Sequence, residues 1–327
     1  MKGLKMAETV TRPKPTNRVE ITILVDNYVD LLLQDEPGLL RPSSAKNGII
    51  LSKTLLAEHG LSLLIDTWDA ETRHRTLLDT GYNPGTVLHN MRTLDLDPKS
   101  IDAIVISHGH MDHTGSVNMA LEAIGKPVTV VCHPDIFRNR FIEKPQMGLV
   151  KLPQLASRQQ MIERGAQLLE TRGPALIAGN TVVATGPIPR VTAFEKGMPG
   201  ARIETKGQLT IDNIEDDQAL VINLAGCGLV VISGCAHSGI INSVLYSRKI
   251  TGEDKVWAVV GGFHLSGPDM NPLIDPTVDE LKKMTPKLIM PMHCTGHAAI
   301  TRFHAEFPES FVLSSVGTRL ILAAQAC

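Results

Sequence analysis

Short runs of aliphatic, often β-branched residues recur along the chain, and stretches with helical spacing of apolar positions lie between them. In the first half this pattern predicts strands at residues 19–25, 61–67, 75–78, 101–106 and 128–132, and helices at 86–94 and 117–124. In the second half it predicts strands at 219–224, 229–233, 256–260 and 288–292, and helices at 240–247, 278–284 and 300–307. Both halves combine strands with helices, which predicts an α/β fold of two mixed sheets packed face to face with helices outside.

The pattern loosens in two places. Residues 1–17 are polar and proline-containing, which predicts a disordered tail before a single domain at 18–327. Between about 134 and 175 the apolar spacing weakens and Pro145 and Pro153 interrupt it. We interpret this stretch as an insertion that caps the functional site.

Composition narrows the class of protein. The net charge of −2 over 327 residues argues against a nucleic-acid binder, which usually carries a basic excess. No apolar run approaches the roughly 20 residues of a membrane span. The five cysteines have no regular spacing, which favours a reducing compartment over a disulfide framework. Together with the absence of an apolar signal segment, these features predict a soluble, cytoplasmic protein; they do not predict its oligomeric state.

Four metal-competent side chains lie within six residues, directly after the predicted strand at 101–106. They are His108, His110, Asp112 and His113. Imidazole nitrogens and carboxylate oxygens are ligands that zinc accepts. A loop that turns into a helix would let His108 and His110 bind one metal ion while Asp112 and His113 bind a neighbouring one. The segment therefore predicts a metal centre at the carboxyl end of a core strand.

This His-x-His-x-Asp-His segment resembles the metal-binding segment of the metallo-β-lactamase superfamily. Three other segments resemble further conserved elements of that superfamily and follow its order along the chain: 77–81, 230–235 and 289–293. The resemblance implies an αββα sandwich with two metal ions at one sheet edge. It also implies that Asp79 orients the ligand loop, that Cys235 occupies the position of a bridging aspartate, and that His293 is the last ligand.

A narrower resemblance is carried by segments 24–27, 58–65, 234–239, 261–265 and 293–296. They are similar to the branch named 7,8-dihydropterin-6-methyl-4-(β-D-ribofuranosyl)aminobenzene-5′-phosphate synthases. This branch implies formation of a C–N bond with loss of diphosphate, in a methanopterin-like pathway.

The ligand set leaves alternatives open. The superfamily pattern requires a histidine between the ligand loop and the bridging position, and His237 is the best substitute, with Asp216 or Asp217 as competitors. Cys235 is either a thiolate ligand or a buried apolar residue. Cys294, next to His293, is expected to point elsewhere and pack. His264 follows the order of a residue that contacts the reacting group, and it is alternatively a further ligand.

The predicted function is a metal-dependent hydrolase that uses a metal-bound hydroxide on a small phosphoester, lactone or amide. The alternative is the pterin-type synthase. The cofactors are expected to be two divalent ions, zinc or otherwise manganese or iron. Asp112 and His264 are the predicted catalytic residues. The predicted substrate-binding residues are Asp26, Asn27, His59, His133 and Arg190.

Overall fold

The computed structural model describes residues 10–46 and 48–324. In chain order its strands are β1 (Arg18–Val25), β2 (Leu39–Leu40), β3 (Ala45–Lys46), β4 (Ile49–Ile50), β5 (Ser62–Asp69), β6 (Thr72–Leu78), β7 (Ala103–Val105), β8 (Val128–Cys132), β9 (Arg140–Lys144), β10 (Gly148–Lys151), β11 (Ala166–Glu170), β12 (Ala175–Ile177), β13 (Val182–Ala184), β14 (Ala201–Thr205), β15 (Gln208–Ile211), β16 (Ala219–Leu224), β17 (Gly228–Ser233), β18 (Val256–Gly262), β19 (Leu288–Met292) and β20 (Arg319–Ala323). The α-helices are α1 (Thr86–Thr93), α2 (Met111–Thr114), α3 (Val117–Ile124), α4 (Arg158–Glu163), α5 (Ile240–Thr251), α6 (Ile274–Met284) and α7 (His297–Glu306).

Two large mixed sheets form the centre of the protein. The first has the order β11-β8-β7-β6-β5-β1-β20-β2, and the second has the order β12-β13-β16-β17-β18-β19. Strands β6, β7, β8 and β11 run parallel in the first sheet, and β17, β18 and β19 run parallel in the second. The carboxyl ends of parallel strands share one edge, so each sheet gathers several strand ends at one place.

Neighbouring residues on each strand pack into different layers of the protein, because successive side chains point to opposite faces of a sheet. On β5, Leu63 and Ile65 join the core between the two sheets, whereas Leu64 faces helices α1, α3 and α4. The second sheet packs its other face against α5, α6 and α7. Burial on both faces explains why these strands are continuous apolar runs in the sequence. The predicted αββα layering is confirmed.

A smaller sheet, in the order β10-β9-β14-β15, lies outside the sandwich. Two of its strands fall inside the stretch predicted as a cap, 134–175, and two come from 201–211. The end of the predicted stretch belongs to the sandwich itself, because β11 pairs in parallel with β8 in the first sheet. Leu152 and Met198, which flank the small sheet, line the cleft described below.

Of the predicted tail at 1–17, residues 1–9 lie outside the described residues. Residues 10–17 are held by backbone hydrogen bonds to the second sheet and its surroundings. Thr11 N–H donates to Ile250 O (2.7 Å), and Thr16 N–H donates to Asn223 O (2.9 Å). The prediction of disorder is therefore wrong for residues 10–17. A polar segment can still be ordered by hydrogen bonds of its main chain, which the pattern of apolar side chains does not reveal.

The described cysteines fall into two groups. Cys132, Cys235 and Cys294 are free and buried, whereas Cys227 is disulfide-bonded. The disulfide bond of Cys227 differs from the expectation that all cysteines are reduced. Within the described ranges, no helix is long and apolar enough to cross a membrane.

Candidate metal centre

The candidate ligands come from loops that follow parallel strands of both sheets. Asp79 follows β6 and His108 follows β7 in the first sheet, while Cys235, His264 and His293 follow β17, β18 and β19 in the second. Ligands of open α/β sheets bind outside the carboxyl ends of the strands. The sandwich brings these two edges together, so one buried cluster receives side chains from five strand ends.

The first group of donor atoms consists of ring nitrogens around His108. Its Nε2 lies 3.0 Å from His110 Nδ1 and 3.2 Å from His237 Nε2. The Cys235 thiol lies within 4.8 Å of the donor atoms of His108 and His237. His237 therefore lies in the same cluster of donor atoms as His108 and His110.

The second group of donor atoms combines a carboxylate with two imidazoles. Asp112 Oδ2 lies 3.3 Å from His293 Nε2 and 3.8 Å from His113 Nε2. His113 Nε2 is 3.0 Å from Cys235 Sγ. All four side chains are buried. Cys235 thus belongs to both groups of donor atoms.

Cys294 does not point away from the site, contrary to expectation. Its Sγ lies 3.5 Å from Cys235 O, and it forms a third close group of donor atoms with Cys235 and His264. The prediction assumed strand alternation, but the strand has already ended at this position. His293 has a left-handed backbone (φ 53°) and begins a 3-10 turn over His293–Thr295.

Asp79 contacts two residues of the ligand loop, Ser107 and His113. Its carboxylate accepts hydrogen bonds from Ser107 N–H (2.7 Å) and Ser107 Oγ–H (2.6 Å), and it lies 2.7 Å from His113 Nδ1. The Asp79 side chain is fully buried. A carboxylate on the far nitrogen of an imidazole fixes the orientation of the ring.

Asp216 and Asp217 hold the two ligand loops rather than joining the clustered donor atoms of the described residues. Asp216 Oδ2 accepts from Gly109 N–H (2.7 Å) and Oδ1 pairs with Arg140 Nη2 (2.5 Å). Asp217 Oδ2 accepts from Ser238 N–H (2.7 Å). Neither residue is among the grouped donor atoms of the described residues, although Asp217 Oδ1 is buried there without a hydrogen-bond partner.

The start of helix α5, just after His237, has a cap that the sequence did not reveal. Glu195 is buried, and its carboxylate accepts from Ile241 N–H and Asn242 N–H, both at 2.9 Å. Carboxylates stabilise helix N-termini by satisfying free amides and by favourable interaction with the helix dipole. This cap fixes the direction in which the His237 loop enters the helix.

Strained backbone is concentrated around the ligands. Asp79 (φ 58°), Ala236 (φ 54°), His264 (φ 45°) and His293 (φ 53°) all adopt left-handed conformations. Such conformations cost about 1–3 kcal/mol each in a residue other than glycine. The surrounding bonds therefore hold these loops in place against a local preference for other conformations.

The donor set fits divalent metal ions. Burial lowers the pKa of His108 and His237 well below its usual value, and neighbouring imidazoles lower it further, so both rings are in the neutral form that ligates metals. Nitrogen spacings of 3.0–3.2 Å are close to the roughly 3.3 Å that tetrahedral zinc–nitrogen bonds require. His293 Nε2 is buried and makes no hydrogen bond of good geometry among the described residues, although Asp112 Oδ2 lies 3.3 Å away. A buried nitrogen that makes no hydrogen bond is costly, so this atom is available to a ligand.

His113 has a different electrostatic setting. Burial alone would lower its pKa, but the carboxylates of Asp79 and Asp112 more than offset this and raise the pKa to about 9. Asp112 keeps its carboxylate ionised, because His113 and His293 oppose the effect of burial and lower its pKa. The second group thus pairs a carboxylate with an imidazole that must release its proton before it can bind a metal ion.

A cleft of 480 Å³ gives access to the cluster. Among the residues predicted to bind substrate, Asn27 and His59 line it, and His59 Nε2 lies 3.5 Å from Asp112 Oδ2. His264 also lines it, with its ring centroid 4.1 Å from that of His237.

Three other residues predicted to bind substrate lie elsewhere. Asp26 is buried below His293 and accepts its N–H at 2.9 Å. His133 accepts from Asp135 N–H at the start of a 3-10 helix. Arg190 donates to the carbonyl oxygen of Asn213. None of the three lines the cleft, but Asp26 lines the larger cavity beside it, and Arg190 also donates to the carbonyl oxygen of His237 at 3.4 Å.

Gly115 ends the ligand helix α2 in a position that admits no side chain, since an added Cβ would lie 1.7 Å from Tyr82 O. We expect Gly115→Ala to destabilise the protein by about 3 kcal/mol or more, because a backbone atom cannot move aside as a flexible side chain can. Urea unfolding of this variant and of Gly173→Ala measures the effect. Within the described chain, a Cβ at Gly173 would meet nothing within 4 Å. Equal stabilities of the two variants would contradict the packing seen here.

Comparison with known sequences places the chain in a family. The sequence model of the Metallo-beta-lactamase superfamily matches residues 57–248. A Methanocaldococcus jannaschii protein named 7,8-dihydropterin-6-methyl-4-(beta-D-ribofuranosyl)-aminobenzene-5′-phosphate synthase is 35% identical over 258 residues, which cover 78% of this chain and 87% of that protein. An uncharacterised protein of the same organism is 31% identical and covers 81% of this chain and 94% of its own length.

Solved structures of other proteins show the same fold. A metal-dependent hydrolase of the β-lactamase superfamily superposes with a TM-score of 0.70 at 25% identity, covering 93% of this chain and 99% of that one. A metallo-β-lactamase fold protein from Bacillus subtilis has the same fold, with a TM-score of 0.50 at 11% identity over 93% of this chain and 100% of its own. The fold and the buried cluster of candidate metal-binding residues are those of a metallo-β-lactamase-fold enzyme. The chain belongs to the metallo-β-lactamase superfamily, and the predicted resemblance to its dihydropterin branch is confirmed.

Proposed function

We propose that the protein is a hydrolase that uses two divalent metal ions on a small phosphoester, lactone or amide. The observation that carries this proposal is the pair of donor groups that share Cys235 at the wall of an open cleft. Zinc suits the mixture of imidazole, carboxylate and thiolate ligands, with manganese or iron as the alternatives.

In this proposal His108, His110 and His237 would hold one ion, and Asp112, His113 and His293 would hold the other. Cys235 lies in contact with both groups and would bridge them. When bound, the metal ions would lower the pKa of a water molecule and would act as Lewis acids that stabilise the developing negative charge.

His264 and the cleft residues perform the remaining tasks. His264 Nδ1 is buried without a hydrogen-bond partner in the described part of the chain, and the ring lines the cleft. We assign it to donate a hydrogen bond to the leaving group. Asn27 links the rings of His59 and His293 (3.4 and 3.1 Å), so it holds both at the cleft mouth, where substrate would enter.

A second candidate function is a synthase that forms a C–N bond. The 35% identical relative is named for such a product. In this reaction an aminobenzene nitrogen bonds to the carbon that carries a diphosphate on a pterin. The diphosphate leaves with the electrons of the carbon–oxygen bond, and the nitrogen releases a proton. The same pair of metal sites would stabilise the departing diphosphate.

One experiment distinguishes the two functions. The metal-loaded protein is incubated with chromogenic phosphodiester, lactone and β-lactam substrates, and separately with dihydropterin diphosphate and an aminobenzene ribosyl phosphate. Hydrolysis of one of the chromogenic substrates supports the hydrolase. Diphosphate release that requires both pterin and aminobenzene compounds, with a coupled product seen by mass spectrometry, supports the synthase and contradicts the first proposal.

A further inference from the structure

A buried arginine of the smaller sheet lies directly behind the ligand loop. Arg140 is the first residue of β9, and its side chain is only 3% exposed. Its Nε donates to Asp212 Oδ2 (2.8 Å), and its Nη2 donates to Asp216 Oδ1 (2.5 Å). Both aspartates are buried as well, so the three charged groups form one network that is shielded from solvent.

This network ends on the ligand loop. Asp216 uses its second oxygen, Oδ2, to accept the N–H of Gly109 at 2.7 Å. Gly109 is the residue between His108 and His110, which belong to the first group of donor atoms. The contacts that lead from Arg140 to the loop therefore pass through a single intermediate residue.

The fit at Gly109 shows how closely the guanidinium approaches the loop. A Cβ added at Gly109 would lie 2.5 Å from Arg140 Nη1 and 2.7 Å from the Cα and O atoms of Ile136. The loop backbone is thus packed against the arginine and against the segment that precedes β9. A loop held on two sides in this way has little freedom to shift the histidines on either side of Gly109.

The main chain of Arg140 is fixed to the smaller sheet and to the cleft. Arg140 pairs with Ile203 of β14, and its carbonyl oxygen accepts the N–H of Leu152 at 2.8 Å. Leu152 lines the metal cleft. Arg140 thus connects a wall of the cleft to the loop that carries His108 and His110.

Stability alone does not explain a network of this kind. Removing a guanidinium and two carboxylates from water often costs as much as their mutual attraction contributes, and apolar residues can replace such groups without loss. What the network adds is direction, because the planar guanidinium orients the Asp216 carboxylate and this carboxylate orients the Gly109 amide. Residues that orient metal ligands from behind are typically worth about 10–100-fold in metal affinity.

We infer that Arg140 is a positioning residue of the first group of donor atoms, and that it acts through Asp216 and Gly109 to hold His108 and His110 at the spacing that one metal ion requires. The smaller sheet is then a working part of the metal centre, although the candidate ligands come from other elements. The inference rests on the proposed function for the presence of two ions, and it specifies which ion depends on the smaller sheet.

Zinc titration against a competing chelator tests this inference in Arg140→Met, which removes the charge and the donors and keeps an unbranched side chain. The affinity for the first ion, identified as the ion that His110→Ala removes, should fall by about 10–100-fold. The affinity for the other ion, assigned to Asp112, His113 and His293, should stay unchanged. A purely structural role of Arg140 would not separate the two ions in this way.

The matched control is Arg75→Met. The Arg75 side chain is 9% exposed, and its Nε and Nη2 donate to Asp66 at 2.8 and 2.7 Å, while its Nη1 donates to Ser100, outside the ligand loop. Both variants break a buried arginine–carboxylate pair, so both should lower the melting temperature, but only Arg140→Met should weaken the first ion. Arg140→Lys keeps the charge and lacks the planar fork. It should give an intermediate affinity, and it replaces Arg140→Met if that variant does not fold.

Hydrogen exchange of the metal-free protein separates this inference from the two-ion proposal. The Gly109 amide should exchange at least about tenfold faster in Arg140→Met than in Arg75→Met, the equivalent of one hydrogen bond to a charged group. That difference in a protein that binds no zinc would support the positioning role while the proposed function fails. Equal exchange of Gly109 in the two variants would overturn the inference. An unchanged affinity for the first ion in Arg140→Met, equal weakening of both ions, or the same weakening in Arg75→Met would overturn it as well.

Discussion

Replacing His110 with alanine is expected to remove at least one metal ion per chain and to lower turnover by more than about 100-fold. The His110 ring nitrogen lies 3.0 Å from that of His108, within the first donor group. Loss of a residue that only orients a ligand typically costs 10–100-fold in metal affinity or activity, so loss of a ligand itself should cost more. Metal analysis and turnover of the purified variant measure both effects.

The matched control is His89→Ala. His89 lies on α1, where its Nε2 contacts Thr54 O, away from the cluster. It should keep its metal ions and its activity. The protein should stay folded in both variants, because the core consists of Val, Ile and Leu side chains outside the site. A His110→Ala variant with wild-type metal content and turnover within tenfold of wild type would show that the reaction occurs elsewhere.

Replacing Asp79 with alanine is expected to destabilise the protein by about 3–5 kcal/mol, the typical cost of breaking a buried, charged network on one side. The change leaves Ser107 N–H, Ser107 Oγ and His113 Nδ1 without the carboxylate that they contact at 2.6–2.7 Å. It also frees the His113 ring to rotate, so metal affinity should fall by about 10–100-fold. Urea unfolding and metal titration measure the two losses.

Asp97→Ala provides the comparison for Asp79. Asp97 is an exposed carboxylate that accepts a single backbone N–H, from Lys99 at 2.9 Å. Its loss should cost about 1 kcal/mol, typical of a helix cap, and should leave metal affinity unchanged. Similar losses for the two variants would mean that Asp79 is an ordinary buried acid with no role in orienting His113.

The main layers and most candidate ligands could be predicted because they depend on local pattern. Continuous apolar runs fix the strands, and parallel strands put the residues after their carboxyl ends at a common edge. That rule, with the family resemblance, was enough to place His108, Cys235, His237 and His293 in one cluster. The placement of His237 also followed from elimination, since few histidines were available.

The parts that could not be predicted depend on contacts between distant segments or on broken periodicity. Arg140 reaches Asp216 because β9 pairs with β14, and neither strand has a strong apolar pattern. Cys294 faces the site because the left-handed backbone at His293 interrupts the alternation of β19. The larger cavity beside the cleft joins a loop near the start of the chain to α7 near its end, and no motif marks that meeting.

The central claim is that two groups of buried donors, joined at Cys235, bind two metal ions. The most direct test is metal analysis of the wild-type protein after loading with zinc and exhaustive dialysis, with protein concentration measured on the same sample. We expect close to two ions per chain, and close to zero after removal with a strong chelator, with a lower melting temperature in the metal-free protein. A value near zero after loading, with zinc and with manganese alike, would contradict the account.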